Sequence, residues 1–338
     1  MDCALDFQHK QSAHCESGVA AALVSHHGAE LSEAMAFGIG GGLFFGYFPF
    51  IRINGLPLAT YRCATGNILK RLTSNLGFTL KQHTFRKPQP AMALLDDYLA
   101  QGIPVGLQTS VYWLPYFPKA YRFHFNGHNL VVYGKEGNDY LISDPVFPMT
   151  VTCPAEDLIR ARFAAGALAP KGRMYVLAGG DAEPDLAAGI MDGLGLVSRT
   201  MIKQPFFLIG VRGIRFLAGR LAKWPERLGR QRADLHLGHV VRMQEEIGTG
   251  GGGFRFLFAD FLKQSSDLLD IAPLSASALE FSHIGDRWRD FAIMAARICK
   301  GRALEGDTYE AMAALMMECA ALEEQAFGTL LGIVQESR

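Results

Sequence analysis

Residues 128–145 constrain the fold more than any other stretch of the chain. His128-Asn129-Leu130-Val131-Val132-Tyr133 and Tyr140-Leu141-Ile142-Ser143 both have strand composition, and Gly134-Lys135-Glu136-Gly137-Asn138 between them reads as a turn. A three-residue loop with Gly137 in the left-handed position pairs Gly134 with Asn138. Counting back along both strands sets His128 opposite Asp144. A bulge would shift this by one residue and leave the two side chains neighbours. An imidazole beside a carboxylate at one end of a hairpin handles protons, and needs only a nucleophile to become a catalytic set.

Cys15 supplies one. His14-Cys15-Glu16-Ser17-Gly18 runs into the small, apolar Val19-Ala20-Ala21-Ala22-Leu23-Val24, a helical segment. A cysteine at a helix N-terminus sees the positive end of the dipole, which favours thiolate over thiol. A cysteine near the start, then a His and an Asp on a later hairpin, is the chain order of papain-like Cys/His/Asp catalysis. His124 is the rival base. It lies four residues before His128 and would share its strand face, but has no comparably placed carboxylate. The oxyanion needs donors. The Cys15 backbone N–H is one, and a side-chain donor is expected just upstream, from Gln8, His9 or Gln11.

Bulk composition bounds the partners. With 338 residues, 49% hydrophobic and 20% charged, the chain suits one large or two ordinary globular domains. Lys plus Arg equals Asp plus Glu at 33 each, so no global charge favours nucleic acid. The six cysteines are scattered and form no C-x-x-C pair, which predicts reduced thiols. The start, Met1-Asp2-Cys3-Ala4, lacks a basic region followed by an apolar core, so a cytoplasmic location is expected. The nearest approach to a spanning segment, Phe206 to Leu221, is interrupted by Arg212, Arg215 and Arg220, and no spanning helix is predicted.

Residues 1–180 read as an α+β domain. The pattern predicts a helix from Cys15 to about His27 closed by Gly28, and a short helix capped by Ser32 and ending at Gly38. It predicts an irregular apolar segment over 38–58, helices over Gly66–Leu76 and Pro90–Gln101, and strands over Pro104–Thr109 and Tyr175–Leu177. Composition changes near Gly179-Gly180-Asp181-Ala182-Glu183-Pro184, and 185–338 read as a mainly helical domain.

Four other features have readings of their own. Gly248 to Arg255 is either an anion-binding turn at a helix start or a flexible connection; it lacks the ending of a P-loop. Arg212, Arg215, Lys223, Arg227 and Arg230 fall close to one helical face. That face either docks an acidic carrier or membrane surface, or is simply solvated. Glu280-x-x-His283 and His236-x-x-His239 have metal-ligand spacing but lack the further carboxylates of a di-iron bundle, so no metal is expected. The aromatics of 43–50 and 111–117 line an acyl pocket or fill the core.

Several of these residues carry a resemblance. Phe7-Gln8-His9, His14-Cys15-Glu16-Ser17-Gly18, Gly28, Leu31-Ser32-Glu33, Phe37-Gly38-Ile39-Gly40 and the segment His128 to Pro145 resemble the N-terminal domain of the butirosin biosynthesis protein H (BtrH) family. Gly248-Thr249-Gly250-Gly251 with Phe254-Arg255, and Trp288, resemble the helical domain that often follows it. The resemblance implies a papain-like fold, with an N-terminal helix bearing the cysteine against an antiparallel sheet, related to the double-glycine (C39-like) peptidases. It implies acyl transfer from an acyl carrier protein or acyl-CoA thioester to a small amine, without a cofactor. One departure from the peptidases is His9, where they have glutamine six residues before the cysteine.

The expected chemistry is therefore attack by Cys15 on a thioester, with His128 taking the thiol proton and Asp144 orienting His128. Substrate contacts are expected from His14, Glu16, Phe45, Tyr47, His124 and Arg255. A cysteine peptidase or amidase using the same triad, and a non-catalytic binding protein on this fold, are the alternatives. Peripheral contact with a membrane and a homodimer stay open.

Overall fold

The structure, a computed structural model, describes residues 3–53, 55–179 and 184–337. The expected change of domain near 179–184 thus falls partly on residues 180–183, outside the described ones. The described elements run in chain order as β1 (Cys3–Ala4), α1 (Cys15–His26), α2 (Glu33–Ile39), β2 (Leu43–Ile53), β3 (Leu56–Arg62), α3 (Asn67–Asn75), β4 (Leu80–His83), α4 (Pro88–Ala100), β5 (Val105–Thr109), β6 (His128–Glu136), β7 (Asp139–Ser143), β8 (Val151–Pro154), α5 (Ala155–Arg162) and β9 (Met174–Leu177). Helices follow: α6 (Leu186–Ile202), α7 (Gly210–Leu221), α8 (Trp224–Leu228), α9 (Arg230–Glu245), α10 (Arg255–Leu269), α11 (Ala272–Cys299) and α12 (Tyr309–Glu336). Backbone contacts divide the chain into two compact units. One comprises residues through Ala36 with Ile68–Leu186, the other Phe37–Asn67 with the residues from Ala187 onward.

The first unit is built on an antiparallel sheet ordered β4-β9-β5-β6-β7-β8, with β1 pairing β6. Strand alternation assigns its faces. Leu130 and Val132 of β6 join Leu95, Leu99, Leu107, Ile142, Leu158 and Val176 in one core. The opposite face of β6 receives α1. That helix is buried on nearly every side, which suits its small residues: Val19, Ala20, Leu23 and Val24 are at most 1% exposed. Gly28 at φ +95 ends it and the Ser32 hydroxyl accepts from Met35 N–H to start α2, both as the sequence predicts.

The hairpin differs in detail from its expected form. Glu136 pairs Asp139 across a two-residue turn in which Gly137 has φ +57, and Tyr133 bulges between Val132 and Gly134. Gly137 as first turn residue has the positive φ of a II′ turn, whose twist matches the strands better than the three-residue loop. Val131 therefore faces Ser143, and the ladder stops before it reaches His128 and Asp144.

In the second unit β2 and β3 form an antiparallel pair, which corrects the irregular segment expected over 38–58. The Gly-aromatic run that looked irregular takes strand form because β3 completes its hydrogen bonds and Gly46 bridges Ile209. The rest is helical, with α10 against α11 and α12 against α7. The basic stretch is not one helical face. Lys223 falls between α7 and α8, Pro225 is the second residue of α8, and Gly229 at φ +77 separates α8 from α9, so the five cations do not share one helix. Arg215 pairs with Glu324 at 2.6 Å, and Arg230 with Asp234 at 3.0 Å. No described helix is long and apolar enough to cross a membrane.

Candidate active site

Cys15 is the first residue of α1, and the segment ahead of it is tightly held. The Glu33 carboxylate, at the start of α2, accepts from the backbone N–H of Ala13 at 2.8 Å and of His14 at 2.6 Å, and from the Ser17 hydroxyl at 3.1 Å. His14 is the N-cap, with its Nδ1 accepting from Ser17 N–H. Gly18 lies so close to the segment beyond β7 that an added Cβ would be 2.7 Å from Pro145 Cβ. The first turn of α1 and Asp144-Pro145 are thus held in one place.

His128 begins β6, and Asp144 follows β7. The imidazole Nε2 donates to Asp144 Oδ2 at 2.7 Å, with both side chains buried. The Cys15 sulfur also acts on this ring and favours its charged form, and with Nε2 on Asp144 the nitrogen left to face it is Nδ1. Burial works against a charged imidazole, but the Asp144 carboxylate and the Cys15 sulfur overcome it and hold His128 at about 10. Asp144 reaches the ring although the register does not put it opposite. The chain turns immediately after β7, with Phe147 N–H donating to Asp144 C=O at 3.0 Å and Val146 N–H to Oδ1 at 3.2 Å. Tyr116 OH donates to Oδ2 at 2.8 Å, so this oxygen accepts from both phenol and imidazole. Burial, and then Asp144, push the Tyr116 hydroxyl well up. The Phe117 and His128 rings are nearly perpendicular, with centroids 5.5 Å apart.

The other expected residues are placed differently. His9 is engaged at both nitrogens, Nδ1 with the Ser143 hydroxyl at 2.8 Å and Nε2 with Phe147 C=O at 3.0 Å. A carbonyl only accepts, so Nε2 carries the proton and Nδ1 accepts from Ser143. Gln8 and Gln11 are exposed. Glu16 is buried, and its carboxylate accepts from Ile68 N–H at the start of α3. His124 is not on the strand: it precedes β6 in an exposed loop, stacked on Tyr112 at 4.0 Å. Phe125 N–H bonds Phe123 C=O there, and the chain enters the ladder only at His128.

Three of the expected residues belong to the second unit. Phe45 is packed among Tyr61 and Trp288, and Tyr47 beside Phe216 and Trp224. Arg255 is fully buried and forks onto Glu323, at 2.9 Å from both Nε and Nη2. In the glycine loop before it, Gly252 N–H donates to the Glu245 carboxylate at 3.0 Å and Gly251 N–H to the Thr249 hydroxyl at 3.0 Å. Those donors serve side chains of this chain.

Sequence reasoning missed Asn129, Tyr175, Tyr116 and Glu33. Asn129 is 5% exposed, and its Nδ2 lies 3.9 Å from Cys15 Sγ. Tyr175 of β9 donates to Asn129 Oδ1 at 2.9 Å. A polar amide inside an otherwise apolar strand was the available signal.

Comparison with known proteins adds the following. Residues 14–145 match the family model described as Butirosin biosynthesis protein H, N-terminal. Residues 156–330 match the model described as Domain of unknown function (DUF4872). No curated protein sequence matches the chain. A solved Bacillus anthracis chain assigned as a C39-like peptidase is similar at 14% identity and TM-score 0.38, covering 53% of this chain and 98% of that one.

Proposed function

We propose a function on the premise that this chain belongs to the family joining a butirosin biosynthesis protein H N-terminal domain to a DUF4872 domain. Its coarse type is a papain-like cysteine enzyme. The finer reading is acyl transfer: Cys15 takes an acyl group from a carrier-protein or CoA thioester and passes it to a small amine. The observation that carries it is the buried His128–Asp144 hydrogen bond, with the Cys15 sulfur acting on the same imidazole.

The roles follow from that arrangement. The thiolate of Cys15 attacks the thioester carbonyl, and the imidazolium of His128 protonates the departing thiolate. His128, now neutral, deprotonates the attacking amine as the acyl-enzyme is resolved. Asp144 holds the imidazole through Nε2 and balances its charge. The reacting groups are withdrawn from bulk water, with Cys15 8%, His128 4% and Asp144 0% exposed, as an acyl-enzyme that must wait for an amine requires.

Intact-protein mass spectrometry with a panel of acyl thioesters tests this. A mass gain that maps to Cys15 and vanishes in Cys15→Ala is expected, with His128→Ala slowing acylation by roughly 10²–10⁴-fold. Release of the acyl group by added amines and not by water alone supports transfer. Release by water at the same rate makes the protein a hydrolase, and absence of any adduct removes the catalytic reading.

A further inference from the structure

The upstream side chains leave the oxyanion donor unassigned, and the residue after His128 fills the role. The Asn129 amide is fixed in orientation by its neighbours. Gly127 C=O can only accept, so the amide atom 3.1 Å from it is the nitrogen, and the oxygen is left to accept from Tyr175 OH at 2.9 Å. Of the two Nδ2 protons, one serves Gly127. The other has the Cys15 sulfur as its partner, at 3.9 Å. A sulfur is a weak acceptor at that length, which leaves this proton available to a stronger acceptor beside the sulfur. When Sγ bonds to a carbonyl carbon, that carbon's oxygen stands beside the sulfur.

We infer that Asn129 is the side-chain oxyanion donor of Cys15, with Tyr175 as the positioning residue that aims it. The inference rests on the acyl-enzyme reading above. As the sulfur lone pair forms the S–C bond, the carbonyl π pair moves onto oxygen. That oxygen gains a full negative charge and accepts from Asn129 Nδ2–H and from Cys15 N–H at the head of α1. Collapse returns the pair to the C–O bond and breaks the bond to the departing sulfur, which takes its proton from His128. The Asn129 amide is buried and already oriented, so it needs no reorganisation when the charge appears. His9 cannot substitute, since both its ring nitrogens are engaged.

Two rates measured on the same variants test this. Acylation of Cys15 by a short-chain N-acetylcysteamine thioester forms an oxyanion, whereas alkylation of Cys15 by iodoacetamide forms none. Asn129→Ala is expected to lower acylation by about 10²–10³-fold and to change alkylation at Cys15 far less, since the 3.9 Å contact with the sulfur is weak. The retained alkylation also reports an intact site. Tyr175→Phe is expected to lower acylation by a smaller factor, again with alkylation changed far less. Equal acylation in wild type and Asn129→Ala overturns this inference alone. An equal fold-loss of both rates with a shifted alkylation profile also overturns it, because the contact with the thiolate would then be the whole role of Asn129. A wild-type Cys15 that is alkylated but never acylated removes this inference together with the function it rests on.

Discussion

At the scale of single residues, His128 is decided by competition. Burial pushes the imidazole toward neutrality, and Asp144 with the Cys15 sulfur pulls it the other way and wins. The imidazolium that protonates the leaving thiolate is therefore kept far into the alkaline range, and the high-pH limb of acylation should fall near 10. Asp144→Asn removes the charge that raises the imidazole. Burial then dominates, and the limb should move to lower pH as the rate drops. Tyr116→Phe should act in the opposite sense: without the phenol, Asp144 Oδ2 concentrates its charge on the ring and the limb moves up. Acylation rates across pH for the three proteins check both signs. His128 and Asp144 were legible because a hairpin shows its turn and its period-two pattern locally. The counted register was nonetheless wrong, and the two side chains meet because the chain bends after β7. Asn129 was not legible: a strand neighbour of His128 normally points to the opposite face, and its meeting with Cys15 depends on where α1 lies.

At the scale of elements, α1 and the turn after β7 form the frame that aligns sulfur with imidazole. Gly18 permits their approach. Gly18→Ala would bring a methyl to 2.7 Å from both Pro145 Cβ and Ser12 Cβ. It should cost about 1–3 kcal/mol and displace Asp144-Pro145, lowering both the urea midpoint and the acylation rate. Glu33→Ala leaves the Ala13 and His14 amides without their carboxylate, and should destabilise by about 1–3 kcal/mol in the same unfolding measurement. The helix ends at Gly28 and the cap at Ser32 were readable because each is a local backbone requirement. The strands β2 and β3 were not, because a run rich in glycine and aromatics becomes a strand only through its pairing partner.

At the scale of the whole molecule, each unit has its own means of stabilisation. The first closes an apolar core under one face of its sheet. The second buries a charge pair: Arg255 forks onto Glu323, Trp288 Nε1 donates to Glu323 Oε1 at 2.7 Å, and the guanidinium lies over the Tyr61 and Trp288 rings. Glu323→Gln would leave that guanidinium buried without a counter-charge, and thermal unfolding should reveal a loss of about 3–5 kcal/mol. Helical periodicity made the helical character of 185–338 visible, but not its division into α7, α8 and α9. That Phe37–Asn67 pack with residues from Ala187 onward is a long-range fact, and no local pattern encodes it.

Everything at this site turns on the His128 imidazolium acting on the Cys15 sulfur, and alkylation as a function of pH measures that coupling directly. Iodoacetamide labelling read at the Cys15 peptide should proceed at mildly acidic pH in wild type, where an ordinary thiol is inert, because the adjacent cation favours thiolate. In His128→Ala that acidic reactivity should disappear, leaving only the alkaline rise of an isolated thiol. Identical profiles for the two proteins would contradict the account, since the ring would then have no hold on the sulfur.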